Sequence, residues 1–154
     1  MLTTKLRRVS VAIAVLAAAL LSTGQIRAAG SSVSVEIKSE HLTGLLPIGL
    51  LVDVNVNVDA EGDPSSLAGA GRHFASTGAH NYWPASGSIS GNIVTLSGVV
   101  DDSNAPYLIG SPVQVVGDAS TDAITLTFGP LAGGPFRGQT LTFTGSGKVT
   151  VRTK

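Results

Sequence analysis

The chain predicts an all-β fold, either an antiparallel β-sandwich or a closed up-and-down β-barrel of about 7–8 short strands, placed after an N-terminal signal peptide. Three observations carry this. Apolar and polar residues alternate over several segments, glycine and Asx-rich dipeptides separate those segments, and no stretch has the 3.6-residue apolar period of a long helix. A period of two sends one set of side chains to a core and the other to water, as half-buried antiparallel strands require.

The first residues follow a different pattern. Lys5, Arg7 and Arg8 precede the apolar run Val11 to Leu21, and small residues follow at Ala28 and Ala29. This is the layout of a secretory signal peptide over residues 1–28, cleaved before Ala29. Its apolar core is about half the roughly 20 residues needed to span a bilayer as a helix. Residues 29–154 then form a single β-domain of ordinary size. The leader takes four of the ten basic residues and none of the ten acidic ones, so what remains has a net charge of −4. No basic patch with interleaved aromatics is present, which argues against nucleic acid as a partner. The chain has no cysteine, so disulfides, thiol catalysis and a lipid-modified cysteine are excluded. It also lacks an Asn-x-Ser/Thr acceptor. These features together point to a bacterial exported protein, periplasmic or extracellular, with no membrane span in the mature chain.

The strands are expected in order. Val33, Val35 and Ile37 alternate with polar neighbours. Val52, Val54, Val56 and Val58 alternate with Asp53, Asn55, Asn57 and Asp59. Ser86–Ser90 and Ile93–Val100 flank the turn Gly91-Asn92. Val113–Val116 and Ala123–Phe128 flank Asp118–Asp122. Leu141 and Phe143 begin a strand that Ser146-Gly147 is expected to turn into a final hairpin partner around Val149 and Val151. Leu45–Val52 is apolar and reads as a buried strand or core-facing loop. Asp63–Leu67 offers a cap and proline for one short helical turn.

The segment at about 60–85 shows no clear strand period and is expected to be a long irregular loop. Loops of that length in small domains are usually functional. It holds Arg72, His73, His80, Tyr82 and Trp83, the densest group of aromatic, imidazole and guanidinium side chains in the chain. Such groups combine flat apolar area with polar handles, so these five are the candidate ligand-binding residues. Tyr107, Phe136 and Arg137 lie in two further long connections that would join them if the loops share one end of the fold.

No catalytic motif stands out. Gly145–Lys148 lacks the hydroxyl and the first glycine of a phosphate-binding loop, and Asp53–Asp63 fails the calcium-loop positions for glycine and glutamate. No cofactor is implied. The reading that follows is an exported, non-enzymatic β-domain that binds a small ligand or a cell-surface component. A metal-assisted or histidine-dependent periplasmic enzyme using His73 and His80 with Asp101 or Asp102 is one alternative, and its metal form could draw three imidazoles from His41, His73 and His80 with an Asp as fourth ligand. A structural subunit joined to others through an edge strand is another.

Overall fold

Residues 31–154 are described by a computed structural model. The expected signal peptide lies outside the described residues. Among the described residues, ten strands form one antiparallel sheet: β1 (Val33–Leu45), β2 (Leu51–Asp63), β3 (Ser66–Ala75), β4 (His80–Ser90), β5 (Ile93–Val99), β6 (Asp102–Ser103), β7 (Pro112–Asp118), β8 (Ala123–Phe128), β9 (Leu141–Ser146) and β10 (Lys148–Thr153). Neighbours follow chain order, with β6 set aside against β4, and β9 returns to pair with β1 at Leu42–Thr43. The sheet therefore closes into an eight-stranded up-and-down barrel. Of the two expected architectures, the barrel is the one formed.

The period of two dictates which side chains fill it. Val33, Val35 and Ile37 on β1, and Val52, Val54, Val56 and Val58 on β2, are buried in the interior. Val94, Leu96, Val113, Val115, Ile124, Leu126 and Phe143 meet them from the other strands in one core. Outward positions on these strands are mostly polar: Arg152, Ser34 and Glu61 stand side by side across β10, β1 and β2, with the small Ala68 beyond them on β3. This inverts the apolar-outward pattern that a lipid-embedded barrel needs. Among the described residues, no helix is long and apolar enough to cross a membrane.

The strands are not uniformly short. β1 and β2 have 13 residues each, β3 has 10 and β4 has 11, whereas β5, β7, β8 and β9 have six or seven. The segment at 60–85 is no loop: it supplies the end of β2, all of β3 and the first half of β4. Asp63 ends β2, Pro64-Ser65 makes a tight turn, and β3 and β4 run through the rest. That turn also replaces the short helix expected at 63–67. The period was hidden because β3 turns glycine inward where other strands turn valine. Gly71 and Gly98 are needed there, because a β-carbon at either would overlap the indole of Trp83.

Two other expectations change. Ser146-Gly147 does not fold β10 back on β9. Both strands run antiparallel to β1, β9 at Leu42–Thr43 and β10 along Val33–Lys38. Gly147 allows the backbone to pass close to Lys38 and Ser39, where a β-carbon would collide. Of Leu45–Val52, Leu45 ends β1 and Leu51-Val52 begin β2 with Val52 buried, Leu46 packs against the core, and the segment between the strands is not itself a strand. It is a turn held by Leu46 N–H to Leu50 O at 2.9 Å and Gly49 N–H to Leu46 O at 2.8 Å. It projects past the barrel rim, so Leu45, Ile48, Leu50 and Leu51 have no opposing sheet and are exposed, Ile48 at 71%.

Candidate functional site

Up-and-down connectivity gathers alternate connections at one end of the barrel: the β1–β2 turn, the β3–β4 turn, the long β5–β7 connection and the β8–β9 loop. These frame a cavity of about 180 Å³. Its walls are Val52 and Val54 of β2, His73 and Ala75 of β3, Asn81 of β4, Phe128 of β8, and Leu141 and Phe143 of β9. Its rim is Leu46, Ala79, Tyr107, Leu108, Leu131, Pro135 and Phe136. A wider concavity of about 520 Å³ lies on the outer face over Ala68–Ala70. It is shallow and open, a stretch of sheet bared by small side chains, and it encloses nothing.

The rim is tied down by polar contacts. Asn104 Oδ1 accepts His80 N–H at 2.7 Å, and Asn104 Nδ2 donates to Gly78 O at 2.8 Å, which fastens the β5–β7 connection to the β3–β4 turn. Ser111 Oγ, fully buried, accepts Ala132 N–H at 2.9 Å and joins that connection to the β8–β9 loop. Gly133 and Gly134 leave room for Tyr107, whose ring a β-carbon at Gly134 would strike. These hydrogen bonds fasten the three connections to one another around the cavity mouth.

One polar row crosses the apolar wall. Registration places Val56, His73, Asn81 and Ser103 side by side on β2, β3, β4 and β6, all facing inward. Ser103 Oγ accepts Ala105 N–H at 3.0 Å and donates to Asn81 Oδ1 at 2.7 Å. Asn81 Oδ1 is thereby the acceptor end of its amide, so Nδ2 donates to His73 Nε2 at 3.1 Å. A nitrogen that accepts carries no proton, so this network assigns the neutral ring's hydrogen to Nδ1. The ring also packs edge-on to Phe128, with centroids 4.7 Å apart. His73 is only 2% exposed, and burial lowers its pKa to about 4. It is uncharged at neutral pH because imidazolium would lose its hydration.

His73 Nδ1 has no hydrogen-bond partner. Two other buried side-chain atoms among the described residues share that condition, Asn57 Oδ1 and Trp83 Nε1. Of the three residues, only His73 lines this cavity.

The five sequence candidates divide by strand alternation. His73 and Trp83 point into the barrel, at 2% exposure each, while Arg72, His80 and Tyr82 face outward. Trp83 fills the barrel between Gly71 and Gly98 and is not part of the cavity wall. Outside, Phe74 gathers the others: its ring lies 4.6 Å from His80 and 5.9 Å from Tyr82, with the Arg72 guanidinium 5.8 Å from its centre. The strands thus bring His73 alone of the five to the cavity. Tyr107 and Phe136 join it there, as the shared-end argument anticipates, and Arg137 does not. The residues missed by sequence reasoning are Asn81, Ser103, Val54, Phe128 and Leu141. His73 and Asn81 are each four residues from Thr77, so recognising a three-residue turn over Ser76–Gly78 would have paired them.

His41, His73 and His80 do not assemble. Among the described residues, no group of three histidine or carboxylate side chains could hold a metal ion. Comparison with protein-family models, curated proteins and solved structures found no match to this chain.

Proposed function

We propose that this protein is an exported binding module whose barrel mouth takes a small, mainly apolar molecule. The observation that carries this reading is the apolar cavity with a single buried polar row in its wall. Apolar walls with a few placed polar groups are the usual composition of a small-molecule site. A dry cavity of about 150 Å³ is large enough for benzene, so about 180 Å³ suits one ring or a short branched chain. The leader pattern at residues 1–28 and the absence of cysteine support action outside the cytoplasm.

Among the alternatives, assembly through an edge strand finds little support. Barrel closure pairs nearly every strand on both sides, and the free side of β10 carries Lys148 and Arg152, charges that discourage strand addition.

Toluene is a direct probe. Titrating it against methyl-labelled protein should shift the resonances of Val54, Leu131 and Leu141, while those of Val35 at the far end stay in place. Ala75→Phe should block the effect by filling the cavity. Unmoved Val54, Leu131 and Leu141 methyls at saturating toluene would refute a binding cavity.

A further inference from the structure

Resting on that binding reading, we propose that the ligand carries a hydrogen-bond acceptor, a carbonyl or ether oxygen, to which the Nδ1–H of His73 donates inside the barrel. The class is a compact apolar molecule with one buried acceptor, not a pure hydrocarbon and not an acid.

The argument begins with the fixed direction of the polar row. Ser103 takes a backbone proton and gives its own to Asn81, which gives one to His73. With Ser103 donating to Asn81 Oδ1, the amide Nδ2 faces His73 Nε2, and the chain ends on an N–H with no acceptor in the barrel wall. A buried donor left unpaired costs about 1–3 kcal/mol, and native interiors rarely retain one. Here the unpaired donor belongs to a residue that lines a cavity open at the rim. Asn81 Oδ1 is already taken by Ser103, and the rest of the wall is Val52, Val54, Ala75, Phe128, Leu141 and Phe143, whose side chains offer it no acceptor.

Charge narrows the class further. His73 is neutral, and no lysine or arginine lines the cavity to balance a carboxylate. An anion would lose its hydration for a single neutral donor, which is unfavourable. A ketone, ester or ether oxygen needs only that one donor.

Acetophenone and α-methylstyrene test this, since they share a shape and differ by an oxygen in place of a methylene. Calorimetric titration should give acetophenone several-fold to about tenfold tighter binding, the range of one net hydrogen bond. His73→Phe should erase the preference while both compounds still bind. Nitrogen NMR of the wild-type imidazole gives a reading that needs no variant: the proton should reside on Nδ1, and its signal should move with acetophenone and not with α-methylstyrene. Equal affinities, or a proton found on Nε2, would overturn the acceptor proposal and leave the binding cavity standing. Failure of both compounds to bind would overturn the two together.

Discussion

On the inner face of the β3–β4 hairpin, His73 and Asn81 close a hydrogen-bonded row under an apolar cavity, and Trp83 fills the barrel below them. One residue along on each strand, Arg72, Phe74, His80 and Tyr82 form an aromatic and cationic cluster on the outside. The two groups interleave along the same strands and differ only in parity. Side-chain type therefore says little about which of them faces the cavity. The inner groups have lost their water and are tied by specific contacts, so a change there is felt by the whole barrel. The outer groups keep their water, and a change there stays local.

The largest break in that contrast is expected at Trp83. Its indole is 2% exposed and lies where Gly71 and Gly98 have no side chain. Trp83→Ala should cost about 3–5 kcal/mol in urea unfolding, the usual range for a buried aromatic replaced by alanine. Tyr82→Ala, one residue away and 40% exposed, should cost under about 1.5 kcal/mol, the size of one aromatic pair. Similar losses at both positions would mean that parity does not separate the faces.

Acid should distinguish the faces next. The folded-state pKa of His73 is lowered to about 4, against about 6.5 in an unfolded chain. Between those values the unfolded state binds the extra proton, so stability rises with pH across the window. The contribution is fully present above about pH 6.5 and is lost as pH falls towards 4, by about 3 kcal/mol in all. Urea midpoints measured from pH 7.5 to 4 should show this slope, and it should flatten in His73→Phe. Glu61, held low by Lys154, and Asp118, held low by its bonds to Ser120, lose their contributions at more acid pH. An unchanged slope in His73→Phe would locate the acid sensitivity elsewhere.

What the sequence made legible follows the same parity. Where inward positions are valine, isoleucine or leucine, as along Val52–Val58 or Ile124–Phe128, alternation is visible and the strands were placed correctly. Along β3 the buried positions are Leu67, Gly71 and His73, and Gly69 between them is exposed. Gly71 records the volume of Trp83, a residue of the next strand, and a local pattern cannot report a packing partner on another strand. The site was half legible for the same reason. His73 stood out by chemistry, but Asn81 and Ser103 gain their meaning only from registration across β4 and β6. The apolar wall looked like ordinary core because, apart from the space left above it, it is.

Asn81 is the middle link of the inner row, and its removal should be smaller than the loss of Trp83 but still clear. Asn81→Ala leaves Ser103 Oγ–H without its acceptor and His73 Nε2 without its donor. Two buried groups lose partners, at about 1–3 kcal/mol each when nothing replaces them. Water entering from the cavity can recover part of this, so about 2 kcal/mol is expected by thermal or urea unfolding. The chemical consequence is more telling than the energy. With Nε2 released, the imidazole proton is no longer confined to Nδ1, and nitrogen NMR of Asn81→Ala should show both tautomers.

The smallest effect is expected from the group that looked most like a binding site. His80 contacts Phe74 on the outer face, is exposed, and its side chain touches no cavity wall. His80→Ala and Arg72→Ala should each change stability by no more than about 0.5 kcal/mol, the ordinary range for surface substitutions. The cation–aromatic contact of Arg72 at 5.8 Å adds little where water competes for the guanidinium. Neither variant should alter the toluene-induced shifts of Val54 or Leu141. The backbone of His80 is another matter, because its N–H is held by Asn104 and helps fix the rim. Alanine keeps that N–H and proline removes it, so His80→Pro should loosen the rim where His80→Ala does not. If His80→Ala itself weakened toluene binding, the outer cluster would have to communicate with the cavity through the β3–β4 turn, and the two faces of the hairpin would no longer be independent.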